Sequence, residues 1–183
     1  MGNFYANYTI RGASRQAVAD AFAGRVALIT PEDQQCIVVY DEASDMMNSV
    51  IEKLGAKLAG DLSCIVLGVS NHDDDILIYQ LFQDGEKTDE YNSCPDYFDD
   101  GAEAPAGPSG GQAEILCRAC ASDAISDVAE ILGGAQYVFA LERHQDLVKA
   151  LGISDHAVGF GHRYVSAGEL PEGLTAEDLI STR

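Results

Sequence analysis

The sequence predicts an α+β fold: a ferredoxin-like βαββαβ core, extended by a β-hairpin and followed by a mostly helical C-terminal portion. Three observations carry that expectation. The first seventy residues alternate strand-like and helix-like hydrophobic patterns in the order strand, helix, strand, strand, helix, strand. Asp84-Gly85 then separates two further strand patterns, and helical spacing dominates after residue 112. The chain accordingly divides into an α+β sheet domain over 1–93 with the added hairpin, a Pro/Gly/acid-rich loop over 94–112, and a helical portion over 113–183 packed on the same domain. At 183 residues, one domain is expected.

Phe4 to Ile10 reads as the first strand. Ser14 is an N-cap for a helix through Ala23, with Val18, Ala21 and Phe22 as its apolar stripe and Gly24 as its stop. Val26 to Ile29 and Cys36 to Tyr40 are short β-branched runs joined by turn chemistry at Pro31 to Gln35, which predicts a hairpin. Between Asp45 and Leu58, Met47, Val50, Ile51, Leu54 and Leu58 recur at helical spacing, with Gly60 as the expected C-cap. Cys64 to Val69 is almost continuously apolar, as a strand covered on both faces must be.

Asn71 to Asp75 forms a polar turn, Ile76 to Gln83 a strand, and Lys87 to Asn92 its hairpin partner. The segment from Ser93 to Gln112 holds Pro95, Pro105 and Pro108 among glycines and acids and reads as a long loop. Ala113, Leu116, Cys117 and Cys120 share one helical face; Ile125, Val128, Ala129 and Leu132 share the next. Tyr137 to Leu141 reads as a short strand, Leu147, Val148 and Leu151 as the inner face of a helix ending near Gly152, Phe160 to Val165 as a last strand, and Thr175 to Asp178 as a helical turn.

With 46% apolar and 22% charged residues the chain has a globular composition, but its net charge of -19 far exceeds what solubility requires. Residues 1–60 carry a net -2, residues 61–110 a net -11, and residues 111–183 a net -6, so the acidity concentrates in the second hairpin and its loop. That charge opposes nucleic acids and anionic membrane surfaces, and no apolar run reaches the length of a membrane helix. The N-terminal residues lack the pattern of a secretory signal, and five irregularly spaced cysteines fit a reducing cytoplasm better than a disulfide framework.

The segment His72, Asp73, Asp74 and Asp75 is the candidate metal site, because three carboxylates and an imidazole suit a divalent metal at a strand-end loop. The spacing matches neither an EF-hand loop nor H-E-x-x-H, and hydrated turn residues are the plainer reading. Cys117 and Cys120 have the C-x-x-C spacing, yet they continue a helix already under way, so buried helix-face cysteines are expected. His144 falls near the inner side of its helix, while His156 and His162 flank Gly159-Phe160-Gly161. No phosphate-binding loop or serine-hydrolase elbow occurs.

Tyr91, Asp96, Tyr97, Phe98, Asp99 and Asp100 place aromatics among acids, the composition of a surface that meets a basic protein. The expected function is therefore an acidic, cytoplasmic protein-binding module of immunity or inhibitor type. A metal-dependent hydrolase using the His72 to Asp75 turn is the alternative, with a divalent metal as its cofactor.

Overall fold

The computed structural model describes residues 2–45, 48–97 and 107–183. Its strands are β1 (Tyr5–Arg11), β2 (Ala27–Ile29), β3 (Cys36–Asp41), β4 (Ile65–His72), β5 (Ile76–Gln83), β6 (Glu86–Asn92), β7 (Ser109–Gly110) and β8 (Ile180–Thr182). Its helices are α1 (Arg15–Ala21), α2 (Asn48–Asp61), α3 (Ala113–Cys120), α4 (Ile125–Gly133), α5 (Ala140–Leu151) and α6 (His162–Ser166). The fold is α+β, and the eight strands among the described residues form one antiparallel sheet in the order β7-β6-β5-β4-β1-β3-β2-β8.

Alternation along the strands sends side chains to two helical layers. On one face Ala6, Tyr8 and Ile10 of β1, Ile37 and Val39 of β3, and Val66 of β4 pack against Val18 of α1, Phe22 at its C-cap, and Ile51, Leu54 and Leu58 of α2. On the other, Leu67 and Val69 of β4 and Leu77, Tyr79 and Leu81 of β5 pack against α3, α4 and α5. Val38 and Tyr40 of β3 meet Ala157 and Val165 near the C-terminus. Burial on both faces explains why the central strands read as continuous apolar runs although every pairing is antiparallel.

Ser14 caps α1, its side chain accepting the backbone N–H of Ala17 at 3.2 Å. Gln34 and Gln35, at φ 49° and 58°, close the β2–β3 hairpin in the left-handed region that a two-residue turn of this hand requires. Asp84 and Gly85, at φ 54° and 83°, close the β5–β6 hairpin in the same way.

The sheet corrects the sequence reading in four places. Two short edge strands were not foreseen: β7 pairs β6 inside the expected loop, and β8 pairs β2, both too short to carry a periodic pattern. Gly60 does not end α2 but lies in its last turn, where a Cβ would stand 3.3 Å from the Cα of Gly85, so the glycine permits a close approach of helix to hairpin. Tyr137 to Leu141 is not a strand; α5 begins at Ala140. Phe160 to Val165 is not a strand either, because α6 occupies His162–Ser166.

Candidate functional site

The turn between β4 and β5 is a three-residue loop, with His72 paired to Ile76 and with Asp73 and Asp74 at φ 55° and 63°. Aspartate tolerates the left-handed region better than most residues, which is one reason this sequence turns here. The three carboxylates do not converge. Asp73 Oδ1 accepts the backbone N–H of Gly2 at 3.0 Å. Asp74 points inward: its Oδ1 accepts the Leu141 N–H at 2.8 Å and the Asn71 side-chain amide at 3.2 Å, and its carbonyl accepts the Ala140 N–H at 2.7 Å. Asp75 is exposed. His72 sits between two aromatic rings, 4.8 Å from Phe4 and 6.0 Å from Tyr97, both edge-on.

The interior beneath this turn is polar. Tyr5 Oη and His144 Nδ1 share a 2.6 Å hydrogen bond, and the two rings stack at 5.7 Å. Burial pushes the His144 imidazole down to about 3, so it is neutral at physiological pH. Burial likewise raises the Tyr5 phenol, against the lowering effect of its hydrogen bond with Asn71. Neither group has the exposure that proton exchange with a substrate requires.

The candidate partner surface is placed unevenly. Tyr91 is 2% exposed and stacks on Tyr79, its hydroxyl donating to the Leu132 carbonyl at 2.8 Å, so this residue belongs to the core. Asp96 is exposed and accepts from the Cys94 thiol at 3.3 Å. Tyr97 is 42% exposed, and partial desolvation and the Asp75 carboxylate push its phenol up. Phe98, Asp99 and Asp100 lie outside the described residues. Val138 and Phe139, which fell within the expected strand Tyr137 to Leu141 and not among the candidate site residues, are 74% and 50% exposed immediately before α5. The signal was an apolar pair beside a glycine-rich stretch, but it reads equally well as a strand.

Cys117 and Cys120 are buried on α3 in the same apolar cluster as Cys36, and burial raises both thiols, that of Cys120 to about 12. They are protonated and packed, a state that is poor for redox chemistry. Below them Arg143 enters the core from α5. Its guanidinium donates to the Tyr91 hydroxyl at 2.6 Å and to the carbonyls of Ile131, Leu132 and Gly134 at 2.7, 2.9 and 2.6 Å, so the negative end of α4 neutralises it.

One further cluster joins residues from two sequence-distant turns. Asp33 in the β2–β3 turn and Asp155 and His156 in the 3-10 turn Asp155–Ala157 bring two carboxylates and an imidazole nitrogen within 4.8 Å of one another. Asp33 and Asp155 line a cleft of about 670 Å³ between that turn and the end of α5. Sequence reading missed the group because Asp33 looked like turn chemistry and Asp155 carried no motif. Among the described residues, no helix is long and apolar enough to cross a membrane. In comparisons with known proteins, no family model, no curated protein and no solved structure matches this chain.

Proposed function

We propose that the protein is a non-enzymatic, cytoplasmic acidic module that meets a basic protein partner in the manner of an immunity protein or inhibitor. The observation that carries this reading is the arrangement around the β4–β5 turn. Asp75 faces solvent beside exposed Tyr97, and the next residue back, Asp74, holds the start of α5, where Val138 and Phe139 are exposed. Aromatic and aliphatic anchors thus flank one acidic turn. An apolar centre supplies binding energy, while a rim of carboxylates steers a cationic partner toward it. The net -11 of residues 61–110 adds to that field.

A hydrolase centred on His72, Asp73, Asp74 and Asp75 has less support, because Asp73 and Asp74 direct carboxylate oxygens to backbone and side-chain N–H groups rather than to a common point. The scaffold we infer is ferredoxin-like. Its support is the antiparallel order β4-β1-β3-β2 with α1 and α2 packed together on one face, the remaining strands extending that unit and residues 113–183 completing the same domain.

The test compares the full chain with a Val138→Ser plus Phe139→Ser variant as baits in lysate of the native cell. The wild type is expected to retain a basic protein at low salt and release it at high salt, and the variant to lose it. Equal recovery by both baits, or recovery of no salt-sensitive partner, overturns the proposal.

A further inference from the structure

The group formed by Asp33, Asp155 and His156 lies away from the proposed partner surface, and its chemistry is different. Each member is held by its own local structure. Asp33 exchanges two backbone hydrogen bonds with Cys36, at 2.9 and 2.8 Å, across the two-residue turn that contains Gln34 and Gln35. The 3-10 turn carrying Asp155 and His156 is fastened to the sheet. Tyr40 donates its hydroxyl proton to the His156 carbonyl at 2.7 Å, Asn7 donates its side-chain amide to the Ala157 carbonyl at 2.6 Å, and Ser154 caps the turn.

The His156 side chain is the independent pointer to a ligand. The residue is only 9% exposed, and Nδ1 is buried with no hydrogen-bond partner. Buried polar groups in folded proteins are nearly always satisfied, so an unpartnered Nδ1 on an imidazole grouped with two carboxylates calls for a bonding partner from outside the chain. A ring nitrogen of His156 and a carboxylate oxygen from each aspartate all lie within 4.8 Å of one another. Three ligand atoms held at about 2.1 Å by a single ion stand about 3.0–3.6 Å from one another, so the exposed Asp155 side chain must turn inward to close the set.

We propose that Asp33, Asp155 and His156 bind one first-row divalent transition ion at the wall of the cleft, with water from the cleft completing its coordination. Two carboxylates balance the ion's charge, and the imidazole selects against Mg²⁺ and Ca²⁺, which prefer oxygen ligands and, for Ca²⁺, more of them. Lys149 and Gln145 line the same cleft, so the water-bearing side of the ion faces a space that a small molecule enters. Because Asp33 precedes β3 while Asp155 and His156 follow α5, the ion joins two sequence-distant turns at the cleft and stabilises the folded state.

The test uses the full chain, stripped with a chelator and kept reduced. Co²⁺ is titrated by absorption, and Co²⁺, Zn²⁺, Mn²⁺, Mg²⁺ and Ca²⁺ are compared by thermal shift. One Co²⁺ is expected to bind without a thiolate charge-transfer band, transition ions are expected to raise the melting temperature more than Mg²⁺ or Ca²⁺, and Asp33→Asn and Asp155→Asn are each expected to weaken binding at least about tenfold. Asp75→Asn is expected to bind as the wild type does. Unchanged affinity in both Asp33→Asn and Asp155→Asn, a thiolate band that assigns the ion to cysteine, equal response to Mg²⁺, or loss of binding in Asp75→Asn overturns the proposal. His156→Gln is read only after its circular dichroism matches the wild type, and the two aspartate variants decide the outcome without it.

Discussion

Asp74 caps a helix that starts sixty-six residues later: its carboxylate accepts the Leu141 N–H at 2.8 Å and its carbonyl accepts the Ala140 N–H at 2.7 Å. Phe139, the local N-cap residue of α5, contributes no side-chain bond. The acidic turn is therefore a structural fastening between sheet and helix as well as a surface feature.

Replacing Asp74 with Ala removes this cap and the favourable charge at the helix N-terminus, and should cost about 1–2 kcal/mol of stability. Asp75→Ala, on the exposed side of the same turn, should change stability by less than about 0.5 kcal/mol. Urea denaturation of both variants checks the contrast; equal losses would mean the cap carries no weight.

The Tyr5–His144 pair makes a pH prediction. In the folded protein His144 takes up a proton only near pH 3, whereas an unfolded histidine does so at about 6.5. Below about pH 6.5 the unfolded chain binds the extra proton, so stability falls as pH drops from about 6.5 toward 3, on the order of 1 kcal/mol per unit, and is unaffected by this group above that window. His144→Gln should flatten the acid limb of a stability-against-pH curve relative to wild type. Tyr5→Phe should instead lower stability at neutral pH by about 1–3 kcal/mol, by leaving the buried imidazole nitrogen without its partner.

Arg143 makes four hydrogen bonds in the core and, among the described residues, has no carboxylate partner. Arg143→Lys should destabilise by about 2–4 kcal/mol, since one ammonium cannot reproduce the planar fork that spans Ile131, Leu132 and Gly134. Thermal unfolding measures it, and a loss below about 1 kcal/mol would show that water replaces the missing donors.

Gly55 tests packing against propensity. Alanine in place of glycine favours a helix by about 1 kcal/mol, but a Cβ here would stand 2.4 Å from the ring of buried Phe82. Gly55→Ala should therefore destabilise, by about 1–3 kcal/mol net, and Gly55→Ala with Phe82→Leu should recover part of that loss. A stabilised single variant would refute the close contact.

Local signals made much of the core legible. Ser14, the β-branched runs around Pro31 to Gln35, the helical spacing through Ile51, Leu54 and Leu58, and Asp84-Gly85 each specify structure over fewer than a dozen residues, and each element formed where its signal lay. The candidate sites were less legible. The His72 to Asp75 segment was visible as chemistry, but not the fact that Asp74 turns inward; Tyr91 was visible as an aromatic, but not as a core residue. Val138 and Phe139 gave no sign of exposure, because exposure is decided by what the rest of the chain covers.

The sequence by itself determined the α+β class, the concentration of charge in residues 61–110 and the elements whose caps and turns are local. Tertiary structure decided the elements whose caps are remote. Like α5, α6 has no side-chain cap of its own: Asp45 accepts the backbone N–H groups of His162 and Arg163 at 3.1 and 2.7 Å, which makes a helix of residues that read as a strand. It also decided which side chains meet, bringing Asp33 to Asp155 and His156 across the cleft. The physical reason is the same in both cases. Unsatisfied N–H groups at a helix start, and ligand atoms that must share one point, are completed by whichever residue the fold delivers, and that distance in space is not written in any local pattern.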